Sequence, residues 1–178
     1  MPDKYIVLDR DGVINVDLFD YVLKNETFEF EKGSIEALIK LSKNNYQIIV
    51  ATNQKCINLG LISAEGIEKI NNFWINKIKE LGGDILHIEV CPHRDEENCN
   101  CRKLKTGLLI AAEKKLNISL KESYFIGDKL SDLDCAVSHG CKPILVKTGY
   151  GSRTFSSSYP KETKVFENLK AAVDWIIN

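Results

Sequence analysis

The sequence predicts an α/β fold built on a doubly wound parallel sheet. Short runs rich in Ile, Val and Tyr alternate with segments that carry apolar residues at helical spacing. Strands and helices that alternate in this way form a parallel sheet with helices on both faces. A chain of 178 residues is about the size of one domain, so we expect a single domain over residues 1–178.

The strand predictions rest on short, continuous apolar runs, which are typical of strands buried on both faces of a sheet. The runs KYIVLD and YQIIVAT are the clearest examples. The predicted strands cover residues 4–9, 46–52, 87–91, 123–127 and 143–147, with a short last strand at 164–167.

The helix predictions rest on apolar residues three or four positions apart. Ile35, Leu38 and Leu41 form such a stripe, and the longest pattern runs from Ile67 to Leu81. The predicted helices cover residues 34–44, about 67–81, 106–116, 130–139 and 168–178, and the polar segment 152–161 is predicted as a surface loop.

Composition and charge exclude several classes of protein. Hydrophobic residues make up 44% and charged residues 28%, as in ordinary globular proteins. A net charge of −1 argues against a general affinity for nucleic acid or an anionic membrane. No apolar run approaches the roughly 20 residues of a membrane span. The first residues, MPDKYIVLDRD, lack the pattern of a signal peptide, so we expect a cytoplasmic protein.

Two carboxylates, Asp9 and Asp11, directly follow the first predicted strand, and Gly12 permits a tight turn behind them. Like charges so close repel, which suggests a cation or a phosphate between them. One carboxylate can attack phosphorus while the other protonates the leaving oxygen and later deprotonates water. The simpler interpretation is an ordinary acidic turn, and the motifs after the other strands decide against it.

Polar motifs follow the second and fourth strands as well. In ATNQ, the Thr52 hydroxyl and the Asn53 main-chain N–H are suited to bind phosphoryl oxygens, although a simple turn explains them too. In GDKLSD, Asp128 is suited to ligate Mg²⁺ and Asp132 to orient that site. Helix capping is the alternative for Asp128.

The segment CRKLK supplies the positive charge that phosphoryl transfer needs. Lys103 is suited to neutralise a phosphoryl group, and Arg102 to grip a sugar or a second phosphate with its planar fork. We expect Lys105 to be a solvated surface cation.

The segment CPHRDEENCNC predicts a structural zinc site. Cys91, His93, Cys99 and Cys101 make up a complete Cys₃His donor set with no open position. The segment has almost no apolar residues and ends directly on the cations, so a metal would hold the loop that presents them. Buried cysteines beside an unrelated histidine are the alternative. The scattered Cys56, Cys135 and Cys141 are expected to pack as small apolar residues.

Together, VLDRDG, TNQ, CRK and GDKLSD resemble the motifs of the haloacid dehalogenase (HAD) superfamily, in the same order and over nearly the whole chain. The resemblance implies that Asp9 is the nucleophile and Asp11 the general acid and base. It implies a Mg²⁺ ion held by the Asp9 carboxylate, the Asp11 main-chain carbonyl and Asp128. Thr52 and Lys103 would then steady the phosphoryl group.

The zinc loop is similar to that of one branch, the histidinol-phosphate and heptose-1,7-bisphosphate 7-phosphatases. This implies a phosphorylated sugar as substrate, on a route to bacterial surface polysaccharide. The short gap between Asp11 and the next predicted helix leaves no room for a large cap domain. We expect a monomer, although no motif of the sequence determines the oligomeric state. Histidinol phosphate stays open as the alternative substrate, and the anomer of the sugar also stays open. The expected substrate contacts are Asp17, Leu18, Phe19, Asp20, Asn53, Gln54, Lys55, Arg102 and Lys129.

The chain departs from the pattern of this branch at three places. The usual TNQSGIARG reads TNQKCINLG here: Lys55 and Cys56 replace a small pair, and Leu59 replaces the arginine. The proline that commonly follows CRK is Leu104, and the loop between Val16 and Tyr21 is one residue longer.

Two functions of other classes are compatible with parts of the sequence. A receiver-like phosphoacceptor switch also uses acidic residues, Thr and Lys around Mg²⁺, but its acceptor follows a middle strand, whereas Asp9 follows the first. A zinc module that binds nucleic acid would need a basic, aromatic-rich face, and the sequence, with a net charge of −1, gives no sign of one.

Overall fold

A six-stranded parallel sheet forms the centre of the computed structural model, which describes residues 4–178. The strand order is β3-β2-β1-β4-β5-β6, so the doubly wound prediction is confirmed. The strands lie within about two residues of their predicted positions. They are β1 (Lys4–Leu8), β2 (Tyr46–Asn53), β3 (His87–Cys91), β4 (Tyr124–Gly127), β5 (Lys142–Val146) and β6 (Lys164–Phe166).

Helices cover both faces of this sheet. None of those within residues 4–178 has the length and apolar character needed to cross a membrane. The α-helices are α1 (Ser34–Lys43), α2 (Ala64–Glu80), α3 (Gly107–Leu116), α4 (Leu130–His139), α5 (Gly151–Phe155) and α6 (Leu169–Ile177).

The short helix α5 corrects the prediction of a loop over 152–161. The Thr154 hydroxyl donates a hydrogen bond to the main-chain oxygen of Asp128 at 2.8 Å, which ties this turn to the end of β4. The tie joins residues 26 positions apart, so local polarity alone does not indicate it.

The two faces of the sheet bury two separate apolar clusters. Alternation along β1 shows this directly, because Ile6 and Leu8 pack into one cluster and Val7 into the other. The first cluster includes Trp74 of α2, which stacks on Phe28 with ring centroids 5.9 Å apart. The second cluster contains, as predicted for apolar cysteines, the buried side chains of Cys135 and Cys141.

The strand order reverses between β1 and β4, and this point positions the functional site. In open α/β sheets a crevice forms where the order reverses, at the carboxyl ends of the strands. Residues 12–33, which follow β1, contain one turn of 3₁₀ helix at Asn25–Thr27 and isolated β-bridges. This segment is too short for a large cap domain, as predicted, and the crevice is an open cleft of about 490 Å³.

Candidate active site

A buried lysine joins two carboxylates, that of Asp9 directly after β1 and that of Asp132 in the first turn of α4. Lys103 Nζ lies 2.7 Å from Asp9 Oδ1 and 2.7 Å from Asp132 Oδ1, and it donates to the Ala51 main-chain oxygen at 2.7 Å. Burial opposes the charge of Lys103, but Asp132 and Asp9 outweigh it and raise the pKa of the ammonium. Burial also raises the pKa of Asp9 to about 6, against the opposing effect of Lys103. Asp9 is therefore largely ionised at neutral pH.

Four hydrogen bonds hold the carboxylate of Asp11. Arg10 Nη2 donates to both of its oxygens, at 3.0 and 3.1 Å. Asn15 Nδ2 donates to Oδ1 at 3.0 Å, and Gln54 Nε2 donates to Oδ2 at 2.6 Å. Burial acts to raise the pKa of Asp11, but the Arg10 charge and these hydrogen bonds outweigh burial and lower it. The arrangement favours the ionised carboxylate, which is the form of a general base.

Asp128 supplies a buried carboxylate oxygen that lacks a partner. Its Oδ2 accepts the main-chain N–H of Tyr150 at 2.8 Å, whereas Oδ1 is buried without a hydrogen bond among the described residues. The nearest cation to Oδ1 is Lys129 Nζ, 4.0 Å away. Burial raises the pKa of Asp128 well above its ordinary value. Gly12, at φ +84°, is required beside it, because a Cβ there would collide with Asp128 Oδ2.

These carboxylates fit a hard divalent cation. One oxygen from each of Asp9, Asp128 and Asp132 lies within 4.8 Å of the others. Asp132 is already occupied, because its Oδ1 pairs with Lys103 and its Oδ2 accepts the Lys129 N–H at 3.0 Å. Asp9 and Asp128 are left as ligands, and Mg²⁺ prefers such oxygen donors together with water and phosphate. The Asp11 carbonyl as a further ligand stays a prediction.

The polar end of β2 lies beside this centre. The side chain of Asn53 clasps the main chain of Lys103, donating to its carbonyl at 3.1 Å and accepting its N–H at 3.1 Å. Gln54 Nε2 donates to the Thr52 hydroxyl at 2.9 Å as well as to Asp11. Thr52 and Gln54 thereby connect the phosphoryl end of the cleft to the acid–base group.

The cleft brings together most of the predicted substrate contacts. Leu18 is the exception, because it is exposed and does not line the cleft. The predicted substrate contacts that do line it are Asp17, Phe19, Asp20, Asn53, Gln54, Lys55, Arg102 and Lys129. The lining residues that the sequence did not indicate include Tyr21, Val22, Asp95, Leu104, Ser131 and Tyr150. Tyr150 follows β5 closely in the sequence, and that position is the signal that would have found it.

A row of ion pairs forms the rim of the cleft at the β2–β3 side. Asp95 Oδ1 accepts from Arg102 Nε at 2.6 Å, and Asp95 Oδ2 lies 3.5 Å from Lys55 Nζ. The hydrogen bond from Arg102 holds the pKa of Asp95 below its usual value. Both cations line the cleft, so they are placed to meet an anionic substrate.

The four predicted zinc donors converge at the end of β3. Five contacts between the donor atoms of Cys91, His93, Cys99 and Cys101 measure 3.2 to 3.7 Å. Donors on a tetrahedral zinc ion would be about 3.5–3.8 Å apart, so the group fits zinc. All cysteines in the described residues are free of disulfides.

Lys105 corrects one expectation about this loop. Its Nζ donates to Asn98 Oδ1 and to the Cys99 carbonyl, at 2.8 Å each. It is therefore bonded to the zinc loop and is not a free surface cation.

The comparisons with known proteins agree with this geometry. A family model described as HAD-hydrolase-like matches residues 100–172. A D-glycero-β-D-manno-heptose-1,7-bisphosphate 7-phosphatase of Pseudomonas putida is 39% identical over 168 residues, which cover 94% of this chain and 96% of that protein. The chain belongs to the heptose-1,7-bisphosphate 7-phosphatase family. As a member of this family, it is a phosphoric monoester hydrolase of the HAD superfamily, as its motifs predict.

Other members of the family extend the likeness. A Photorhabdus laumondii phosphatase named for the α anomer of the heptose is 36% identical over 93% of this chain and 91% of its own length. The crystal structure of the D,D-heptose 1,7-bisphosphate phosphatase from B. bronchiseptica matches with a TM-score of 0.93 and 31% identity, covering 98% of both chains. That structure is a complex with magnesium and phosphate.

Proposed function

We propose that the chain removes the 7-phosphate of D-glycero-D-manno-heptose 1,7-bisphosphate in a Mg²⁺-dependent reaction through an aspartyl-phosphate. The observation that carries the proposal is the group formed by Asp9, Lys103, Asp128 and Asp11 in one open cleft, in a chain whose relatives bear this activity in their names. Asp9 and Asp128 would hold the Mg²⁺, which supplies positive charge to the phosphoryl oxygens.

In the first step, an oxygen of Asp9 attacks phosphorus and the bond from phosphorus to the sugar oxygen breaks. The leaving oxygen takes a proton from Asp11. The ionised Asp11 of the free enzyme must therefore first take up a proton, which the monoanionic form of the phosphate ester can bring with it. Lys103 neutralises charge at the phosphoryl group throughout.

In the second step, Asp11 takes a proton from water and the water oxygen attacks phosphorus. The bond between Asp9 and phosphorus breaks, which releases inorganic phosphate and restores Asp9. The low pKa of Asp11 suits this step, because it is ready as a base once the leaving group has gone. The zinc site takes no part in the reaction and is proposed to hold the loop that carries Arg102 and Lys103.

The substrate is tested by comparing the purified enzyme on three esters: the β and α anomers of heptose 1,7-bisphosphate, and histidinol phosphate. We expect kcat/KM to be highest for one of the heptose anomers, with release of one phosphate per sugar. A higher kcat/KM for histidinol phosphate would overturn the proposed substrate. A stable phosphoprotein without free phosphate would overturn the phosphatase itself.

The proposal also concerns where and how the chain acts. We propose that it works as a monomer on a diffusible ester in the cytoplasm, without nucleic acid or membrane as partner. The net charge of −1 argues against nucleic acid or an anionic membrane as partner. The free cysteines support the cytoplasm, because a reducing compartment keeps such thiols unpaired.

A further inference from the structure

Phe19 projects an aromatic ring at the mouth of the cleft. Its surface is 66% exposed, more than that of any other exposed large apolar residue in the described chain. Its backbone has φ +55°, a left-handed conformation that residues with a side chain rarely adopt. The carboxylate of the buried Asp17 stabilises this conformation, because Oδ1 accepts the Phe19 main-chain N–H at 2.8 Å. The ring is thus held at the cleft by its own loop.

The ring of Tyr150, which follows β5 in the sequence, contacts the ring of Phe19. The two rings contact edge to face, with centroids 4.9 Å apart and planes at 71°. Lys129 Nζ lies 4.8 Å from the centre of the Tyr150 ring and 3.0 Å from Asp17 Oδ2. Phe19, Tyr150, Lys129 and Asp17 therefore form a closed ring of contacts, which we name the aromatic wall.

Mutual burial does not account for the aromatic wall. A pair that packed only for stability would remove most of its apolar surface from water, whereas Phe19 remains two-thirds exposed. The Tyr150 link to Asp128 uses the main-chain N–H, so it does not need the aromatic side chain either. The exposed Phe19 ring and the half-buried Tyr150 ring border the same cleft as Asp9 and Lys103.

The wall lies on the β5 side of the reaction centre, whereas the rim of Lys55 and Arg102 lies on the β2–β3 side. An aromatic face binds the C–H face of a sugar by dispersion, and the Lys129 ammonium beside it can donate to hydroxyl groups. We propose that Phe19 and Tyr150 are specificity-determining residues that pack against the carbon skeleton of the substrate. The proposal rests on the phosphatase activity proposed above and deepens it.

The test compares substrates with and without a carbon skeleton to contact. The variants are Tyr150→Ala and Phe19→Ala, with Tyr150→Phe as the variant that keeps the ring. Phe73→Ala, which truncates an exposed aromatic residue on α2, is the matched control. For each protein, kcat/KM is measured with heptose 1,7-bisphosphate, histidinol phosphate and the compact ester methyl phosphate, and the thermal midpoint confirms folding.

We expect wild type to prefer the larger esters, heptose 1,7-bisphosphate or histidinol phosphate, over methyl phosphate. Each alanine variant should reduce that preference about three- to tenfold, which is the range of single aromatic contacts. The loss should appear mainly in KM, and Tyr150→Phe and Phe73→Ala should keep the preference.

Three results would overturn the aromatic wall as a specificity device. The first is an equal loss for all three esters, which indicates a structural role. The second is no loss of preference in the alanine variants, and the third is a wild type that does not prefer either larger ester over methyl phosphate. If histidinol phosphate is the preferred ester, the proposed substrate fails, yet the wall is still tested by the change in that preference.

Discussion

At the scale of single residues, burial decides the chemistry of the site. Asp9, Asp128 and Asp132 are each at most 4% exposed, and the only fully buried ammonium among the described residues that faces them is Lys103. Three carboxylates with one such cation leave an excess of negative charge. A divalent metal removes that excess, which is the physical reason why a magnesium site belongs here.

The nucleophile is tested by Asp9→Asn. An amide does not attack phosphorus, so phosphate release should fall at least about 10³-fold. The fold and the zinc content should stay intact, because the amide has nearly the same shape as the carboxylate. Asp84→Asn, at an exposed acidic residue paired with Lys79, is the control and should keep full activity. Phosphate release at the wild-type rate by Asp9→Asn would refute the assignment.

The raised pKa of Asp9, about 6, predicts a link between pH and metal. Without Mg²⁺, a carboxyl whose pKa is higher in the folded protein stabilises the fold at low pH, and this contribution is lost as pH rises through about 6. Mg²⁺ replaces the proton as the neutralising charge. We therefore expect Mg²⁺ to raise the thermal midpoint more at pH 7.5 than at pH 5.5. Equal shifts at both pH values would contradict this, and the difference should shrink in Asp9→Asn.

At the scale of elements, the loop from Cys91 to Lys105 depends on its metal. It has little apolar surface, and the zinc donors and the bonds of Lys105 hold it internally. Polar contacts, such as the two hydrogen bonds of Asn53 and the ion pair of Asp95 with Lys55, join it to the rest of the chain. Because the loop presents Lys103 to Asp9, loss of its order should reach the reaction centre.

Cys99→Ala tests this dependence. Three donors bind zinc less tightly than four, so zinc content and the thermal midpoint should fall, and the loop should become sensitive to limited proteolysis. Activity should fall because Lys103 and Arg102 lose their positions. Cys141→Ala, at a buried cysteine outside the cluster, should keep its zinc. A Cys99→Ala protein with full zinc content and wild-type resistance to protease would show that the cluster is not the metal site.

At the scale of elements, the positions of the site residues can be predicted from the sequence, but the side chains that support them cannot. The sequence places polar residues after β1, β2, β3 and β4, and their convergence at one edge could be predicted because parallel strands bring their carboxyl ends together. The support for Asp11 was not found, because Arg10 Nη1 donates to Asn71 Oδ1 at 3.2 Å across 61 positions of sequence. Asn71 also accepts from the Trp74 indole at 3.2 Å, so a polar residue on the buried face of α2 serves the site. Helical periodicity gives no sign of such a partner.

At the scale of the whole molecule, the described residues share one sheet with an apolar cluster on each face. The proposals of one domain and of a monomer belong to this scale. Light scattering coupled to size exclusion should give about the chain mass of 20.1 kDa, and the zinc-loaded protein should unfold in one transition. A mass of twice that value, or two separate transitions, would contradict the respective proposal.

An ammonium group has three hydrogens, and three oxygens lie 2.7 Å from Lys103 Nζ: the Ala51 carbonyl, which accepts a hydrogen bond, and one oxygen each of Asp9 and Asp132. An arriving phosphoryl oxygen can therefore enter this arrangement only by exchange with a present acceptor. Ala51 is fixed inside β2 and Asp132 is anchored at the start of α4, whereas Asp9 Oδ1 keeps the Arg10 main-chain N–H, at 2.7 Å, as a donor when Lys103 turns to the ester. We therefore expect the phosphoryl oxygen to replace Asp9. Binding of the ester would then release the Asp9 oxygen from the Lys103 ammonium in the same step. The nucleophile would thus become available only when a phosphoryl group is present.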